Sequence, residues 1–171
     1  KDQDKITIIG HSLGGYVAAE YAIENRTKVE KLVLIDSSGL LKQPTPLLEQ
    51  YLCAALETDT ILRYKKVTRI FEDLLAERSR LLPVIPDIFI GTIREPGAKH
   101  AFQSAYKNST TKSIDLERLK QIEDIPCLII WGENDNLIPS THSVKFKEIL
   151  KDAQILMVHN AGHSPFVEKT S

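Results

Sequence analysis

The 171-residue chain is short of cysteine, with only Cys53 and Cys127. Two thiols make no disulfide framework, and both read as small apolar core residues in a reducing, cytoplasmic setting. An excess of charge of either sign is also missing. Twenty-two Lys and Arg stand against 23 Asp and Glu, for a net charge of −1. That balance leaves no footprint for nucleic acid or an anionic membrane surface. No apolar run reaches the roughly 18–20 residues of a membrane span. No leader pattern is visible. Because Lys1 and not Met opens the sequence, the expectation is an excerpt of a longer protein.

What is present is 42% hydrophobic and 26% charged residues, the balance of a globular domain with a real core. Four short apolar runs stand out: Lys5–Ile9, Lys31–Asp36, Cys127–Trp131 and Gln154–Val158. None alternates polar with apolar, which suits parallel strands buried on both faces. Helical patterns lie between them. Gly14–Asn25 carries Val17, Ala18, Tyr21 and Ala22 on one face, and Ser140–Lys151 carries Phe146, Ile149 and Leu150. Strands alternating with helices predict an α/β fold, a parallel sheet with flanking helices.

The middle differs. About 90 residues between the second and third runs show no convincing strand. Three stripes recur there at helical spacing: Leu48 to Leu56, Val67 to Leu75, and Ala98 to Tyr106. Prolines 44, 46, 83, 86 and 96 punctuate them. The reading is a helical lid over residues 38–111, inserted into a core made of 1–37 and 112–171. The aromatics Tyr51, Tyr64, Phe71, Phe89, Phe102 and Tyr106 either line an apolar pocket or pack the lid onto the core.

One stretch carries chemistry. In "ITIIGHSLGGYVAAEYA" an apolar run ends in Gly10-His11-Ser12-Leu13-Gly14, and a helical pattern follows. A tight strand-to-helix turn lifts a serine hydroxyl clear of a sheet and aims helix N-terminal N–H groups at it. Glycines two before and two after the serine relieve crowding in such a turn. Residues and context match the G-x-S-x-G nucleophile elbow. A phosphate-binding loop fits poorly, because no Lys-Ser or Lys-Thr closes the turn.

A nucleophilic serine needs a base and a group to orient it. His163, in "HNAGHSPFVE" just past the fourth run, is the candidate base, with His159 as rival. Asp135, in "WGENDNLIP" after the third run, is the candidate acid, with Asp36 at the end of "KLVLID" and Glu133 as rivals. All occupy carboxyl ends of strands, where open α/β sheets build their sites. His11 is read as serving the turn itself, and His100 and His142 as surface or core residues.

These residues make the chain resemble the α/β-hydrolase fold family. "GHSLGG" after a strand, "CLIIWGENDNLIP" and "NAGHSPFVE" carry the resemblance, in the order Ser…Asp…His and with 28 residues from Asp135 to His163. The resemblance implies a Ser12–His163–Asp135 triad, a Leu13 N–H in the oxyanion hole, and no metal or organic cofactor. It implies a serine hydrolase of a small-molecule carboxylic ester or related acyl substrate. Carbon–carbon bond hydrolases, thioesterases and cofactor-free haloperoxidases share the fold, and a non-catalytic or truncated binding variant is a further alternative. The family's elbow follows the fifth strand of eight, so this chain would hold strands five to eight only, a partial α/β-hydrolase fold. The loop carrying a second oxyanion donor would lie outside it. The implied outcome is a bare edge on the first strand and an isolated piece that is poorly stable and weakly active.

Overall fold

Four strands form one sheet in the order β1-β2-β3-β4, and every neighbouring pair is parallel. The structure is a computed structural model describing residues 5–169. The strands are β1 (Ile6–His11), β2 (Val29–Ile35), β3 (Cys127–Gly132) and β4 (Gln154–Val158). Their carboxyl ends share one rim, because register pairs Gly10 with Leu34, Ile35 with Ile130, and Gly132 with Val158. A parallel sheet with helical crossovers is the arrangement read from the sequence.

The expectation of strands buried on both faces holds only at the centre. β3 is buried or half-buried throughout, whereas β1 and β4 are largely exposed. β1 and β4 are the edges of the sheet among the described residues. Helix α1 (Leu13–Glu24) lies against β1 and β2 through Gly15, Ala18, Ala19 and Ala22. These small residues let the helix sit close to the sheet. Val17 and Tyr21, expected on the buried face, are instead exposed and form an apolar shelf with Ile6 and Ile9 beside β1.

Between β2 and β3 the chain is helical: α2 (Pro46–Leu56), α3 (Thr60–Asp73), α4 (Val84–Arg94), α5 (Ala98–Thr111) and α6 (Leu116–Lys120). Local signals set the starts. Thr45 caps α2 ahead of Pro46, Asp59 accepts the Leu62 N–H at 2.7 Å, and Asp115 accepts the Glu117 N–H at 2.9 Å. The segment leaves and rejoins the sheet side by side, where the Ile114 N–H donates to the Gly39 carbonyl at 2.7 Å. Helix α4 is missing from the sequence reading. Pro83 and Pro86 read there as breaks, yet Pro83 caps the helix and Pro86 lies in its first turn, where no intrahelical N–H is needed. Cys53 corrects a second expectation: it is exposed, because the inward face of α2 holds Ala54 and Ala55, while Cys127 is buried.

Helices α7 (Thr141–Ile149) and α8 (Pro165–Glu168) complete the order. The core runs through Leu32, Leu34, Ile129, Trp131 and Phe146, each 1% exposed or less. Burial of each side chain contributes roughly 1.5–3 kcal/mol. Trp131 also donates its indole N–H to the Ile138 carbonyl at 3.1 Å, which fixes the loop after β3. No helix of the described residues is long and apolar enough to cross a membrane.

Candidate active site

Ser12 links β1 directly to α1 with φ 54° and ψ −122°, a left-handed backbone that a non-glycine residue holds only when its surroundings impose it. They do so here. The Ser12 N–H donates to the Ile35 carbonyl at 3.0 Å, and its own carbonyl accepts from Gly15 and Ser38 N–H groups at 2.9 and 3.0 Å. The Ser12 hydroxyl makes no capping bond and faces a cavity. Leu13 is the first helical residue, so its N–H has no partner within α1.

Only one of the two glycines flanking the serine is set by crowding. A Cβ at Gly10 would collide with the Gly14 carbonyl, as expected for the position two before the serine. A Cβ at Gly14 would meet nothing, so that glycine is not required by crowding. The crowded position on the far side is Gly15, whose Cβ would collide with the Ser37 side chain.

Asp135 lies in the turn after β3. Its Oδ1 accepts N–H groups of Leu137 and Ile138 at 2.8 and 3.0 Å, and its Oδ2 accepts from His163 Nδ1 at 2.8 Å. Both side chains are buried, 0% and 4% exposed, so water does not compete for this bond. The loop bearing His163 is fixed by three contacts. The His163 N–H donates to the Leu74 carbonyl at 2.7 Å, the Gly162 N–H to Glu168 Oε1 at 2.6 Å, and His11 Nε2 to the His163 carbonyl at 2.6 Å.

His11 therefore does more than serve its own turn. Its ring lies 4.8 Å from the His163 ring, centroid to centroid, and packs edge-on against Phe166. Burial first, and the neighbouring His163 second, lower its pKa, which keeps it neutral as a hydrogen-bond donor. Ser12 follows it directly. Among the described residues no hydrogen bond joins the Ser12 hydroxyl to His163. The rivals His159 and Glu133 pair with each other at 2.6 Å on the surface.

Asp36, the third candidate acid, is fully buried at the end of β2 with φ 42°. Its Oδ1 accepts the Gly132 N–H at 2.9 Å, and its Oδ2 has no donor. Burial pushes its carboxyl up to about 8. The Gly132 N–H opposes the rise, and Asp135 and Glu168 add to it. Carboxylate oxygens of Asp36 and Asp135 and a ring nitrogen of His163 lie within 4.8 Å of one another. These are metal-ligating residue types, but the Asp135 oxygens and His163 Nδ1 are already engaged in the hydrogen bonds given above.

Glu168 is absent from the sequence reading. Its Oε2 accepts N–H groups of Ala76 and Glu77 at 2.8 and 3.1 Å, while Oε1 holds Gly162. Its partners across the fold lie 91 and 92 residues away in sequence, and no local pattern announces such a clamp.

Beside Ser12 opens a cavity of about 170 Å³. Leu41, Leu48, Tyr51, Phe102, Tyr106 and Ile138 form much of its wall, and among the described residues no Lys, Arg, Asp or Glu lines it. Tyr51, Phe71, Phe89 and Phe102 pack ring to ring at 5.1–5.9 Å. The aromatics of the helical segment thus divide: Phe71 and Phe89 pack behind Tyr51 and Phe102, which face the cavity, and Tyr64 is exposed. Burial raises the Tyr51 phenol above its ordinary range.

Comparison with known proteins agrees with this architecture. The chain is 27% identical to Lipase 3 of Moraxella sp. (strain TA144), over 93% of its own length and 50% of that protein. It is 22% identical to the 2-hydroxy-6-oxo-2,4-heptadienoate hydrolase of Pseudomonas putida, over 97% of its length and 59% of that protein. It therefore spans only about half to three-fifths of these relatives. Among solved structures it superposes on the meta-cleavage product hydrolase of Pseudomonas fluorescens IP01 with a TM-score of 0.83 at 21% identity, covering 98% of this chain and 61% of that one. That likeness is one of fold. The family model described as the alpha/beta hydrolase fold matches residues 1–170, and the chain belongs to that family, as a partial α/β-hydrolase fold around a four-stranded parallel sheet.

Proposed function

We propose that the protein is a serine hydrolase of carboxylic esters or related acyl substrates, with Ser12, His163 and Asp135 as its triad. The observation that carries this reading is the buried 2.8 Å bond from His163 Nδ1 to Asp135 Oδ2, on the rim where Ser12 stands on its elbow. In this reading His163 takes the Ser12 proton as the hydroxyl attacks the acyl carbon, then returns it to the leaving alcohol. Asp135 holds the imidazole in one tautomer and stabilises its charged form. The Leu13 N–H and the α1 N-terminus face the developing oxyanion. Residues 1–37 and 112–171 act as core, and 38–111 as a lid over the cavity.

The mostly apolar wall of the cavity supports an uncharged acyl chain as the part of the substrate that it receives. A fluorophosphonate probe is expected to label the full-length protein at Ser12, and Ser12→Ala to abolish labelling and p-nitrophenyl ester turnover. Undiminished labelling of the alanine variant would sink the assignment. Asp135→Asn is expected to lower turnover by about 10⁴-fold, through the wrong imidazole tautomer.

A further inference from the structure

The site holds one carboxyl more than the proposed triad uses. Asp36 and Asp135 approach each other in a region sealed from water, and two ionised carboxylates do not share such a place. One of them keeps a proton, and the hydrogen bonds say which. Asp135 accepts three N–H donors, from Leu137, Ile138 and the His163 ring. Asp36 accepts one, from Gly132, and its Oδ2 is buried with no donor in reach. Charge is therefore stabilised on Asp135 and left unsupported on Asp36.

We propose that Asp36 is a neutral carboxylic acid whose Oδ2–H donates to the Asp135 carboxylate, making it a positioning residue for the His163–Asp135 pair. The bond fills the last acceptor place of Asp135, which then receives four donors on its two oxygens. It also satisfies the orphaned Asp36 oxygen. No covalent step is involved, and the proton stays on Asp36 throughout turnover. The inference rests on the serine-hydrolase reading above and assigns Asp36 the opposite role to an ionised acid.

The surroundings support a neutral group. From the neighbouring elements Asp36 faces Asp135, His163 and the Glu168 carboxylate, with His11 and His142 further out around Asp135. Burial and the two acidic neighbours raise its carboxyl to about 8, so the acid form holds at neutral pH and is lost above it.

The chemistry supplies its own discriminating substitution. An asparagine at position 36 presents a carbonyl to Gly132 and an N–H to Asp135, as the protonated acid does, but never ionises. A leucine fills similar space and donates nothing. Ester turnover of the full-length wild type, Asp36→Asn, Asp36→Leu, Asp135→Asn and Ser12→Ala is followed from pH 6 to 10. Loss of a donor to a buried charge predicts a fall of about 10–100-fold for Asp36→Leu at pH 7. Asp36→Asn is expected to restore most of that loss and to remove the decline in wild-type kcat/KM above about pH 8. An infrared carboxylic C=O band at pH 7, present in wild type and absent from Asp36→Asn, is the second readout.

A fall of Asp36→Asn as deep as that of Asp135→Asn would overturn the assignment and make Asp36 the ionised acid. An unchanged alkaline limb in Asp36→Asn would overturn it too. If Asp36→Leu does not fold, the pH profile and infrared band of Asp36→Asn decide alone. An active Ser12→Ala variant would instead fail the hydrolase reading itself. A dead Ser12→Ala beside a crippled Asp36→Asn would fail only the role given to Asp36.

Discussion

The Glu168 carboxylate accepts the Gly162 N–H at 2.6 Å, one residue before His163, and turns its other oxygen to Ala76 and Glu77. One buried side chain thereby ties the candidate base loop to the turn after α3. Glu168→Ala strands three N–H groups and is expected to destabilise the protein by roughly 2–4 kcal/mol. Trp131, the one tryptophan, is fully buried and reports unfolding by its emission. A urea midpoint unmoved by Glu168→Ala would show that the clamp contributes nothing.

Asp36 makes stability depend on pH with a definite sign. Its carboxyl rises from an ordinary 3.8 to about 8 in the folded chain. Between those values the folded state binds more protons than the unfolded one, so stability is greatest at the acid end and declines as pH rises toward 8. Asp36→Asn removes this decline. Urea titrations at pH 5 and pH 8 are expected to show the variant gaining on wild type as pH rises, and a constant difference would contradict the raised carboxyl.

Close packing at the elbow predicts a size exchange. Gly15→Ala drives its methyl into the Ser37 side chain and is expected to cost about 1–3 kcal/mol. Ser37→Gly removes the obstacle, so the double variant should recover most of the loss. Additive losses in a double-mutant cycle would place the strain elsewhere.

The cavity predicts chain-length selectivity. Ala105 lines it opposite the elbow segment, on α5. Ala105→Phe narrows the space and is expected to depress turnover of p-nitrophenyl octanoate at least tenfold more than that of p-nitrophenyl acetate. Equal effects on both esters would mean that the acyl chain lies elsewhere.

Much of this was legible in local pattern. The four apolar runs mark the four strands to within two residues at each end, because each strand of the parallel sheet is written as a continuous apolar run, the largely exposed β1 and β4 included. Asp135 and His163 stand out by their place after such strands, and they are hydrogen-bonded across 28 residues. Helix α4 was hidden because Pro86 reads as a break until it is known to sit in a first turn. Gly15 was hidden because its obstacle, Ser37, comes from another strand end. The clamp at Glu168 and the protonation of Asp36 depend on partners brought together only by the fold.

Three tethers fasten the helical segment below the cavity. Thr45 Oγ1 donates to the Leu137 carbonyl at 2.8 Å in the loop after β3, Leu74 accepts from His163 at 2.7 Å, and Ala76 and Glu77 are held by Glu168. All lie at the start of α2 or just past the end of α3. The start of α2 and the chain just past α3 are thus tied to the loops that carry Asp135 and His163, so a shift of this helix pair is felt at the His163–Asp135 bond. Helix α5, which also walls the cavity, leads to the Ile114 N–H bond with the Gly39 carbonyl beside the sheet. The helical segment thus hangs from the loops after β2, β3 and β4, so a change in any one of these loops is felt across the cavity wall.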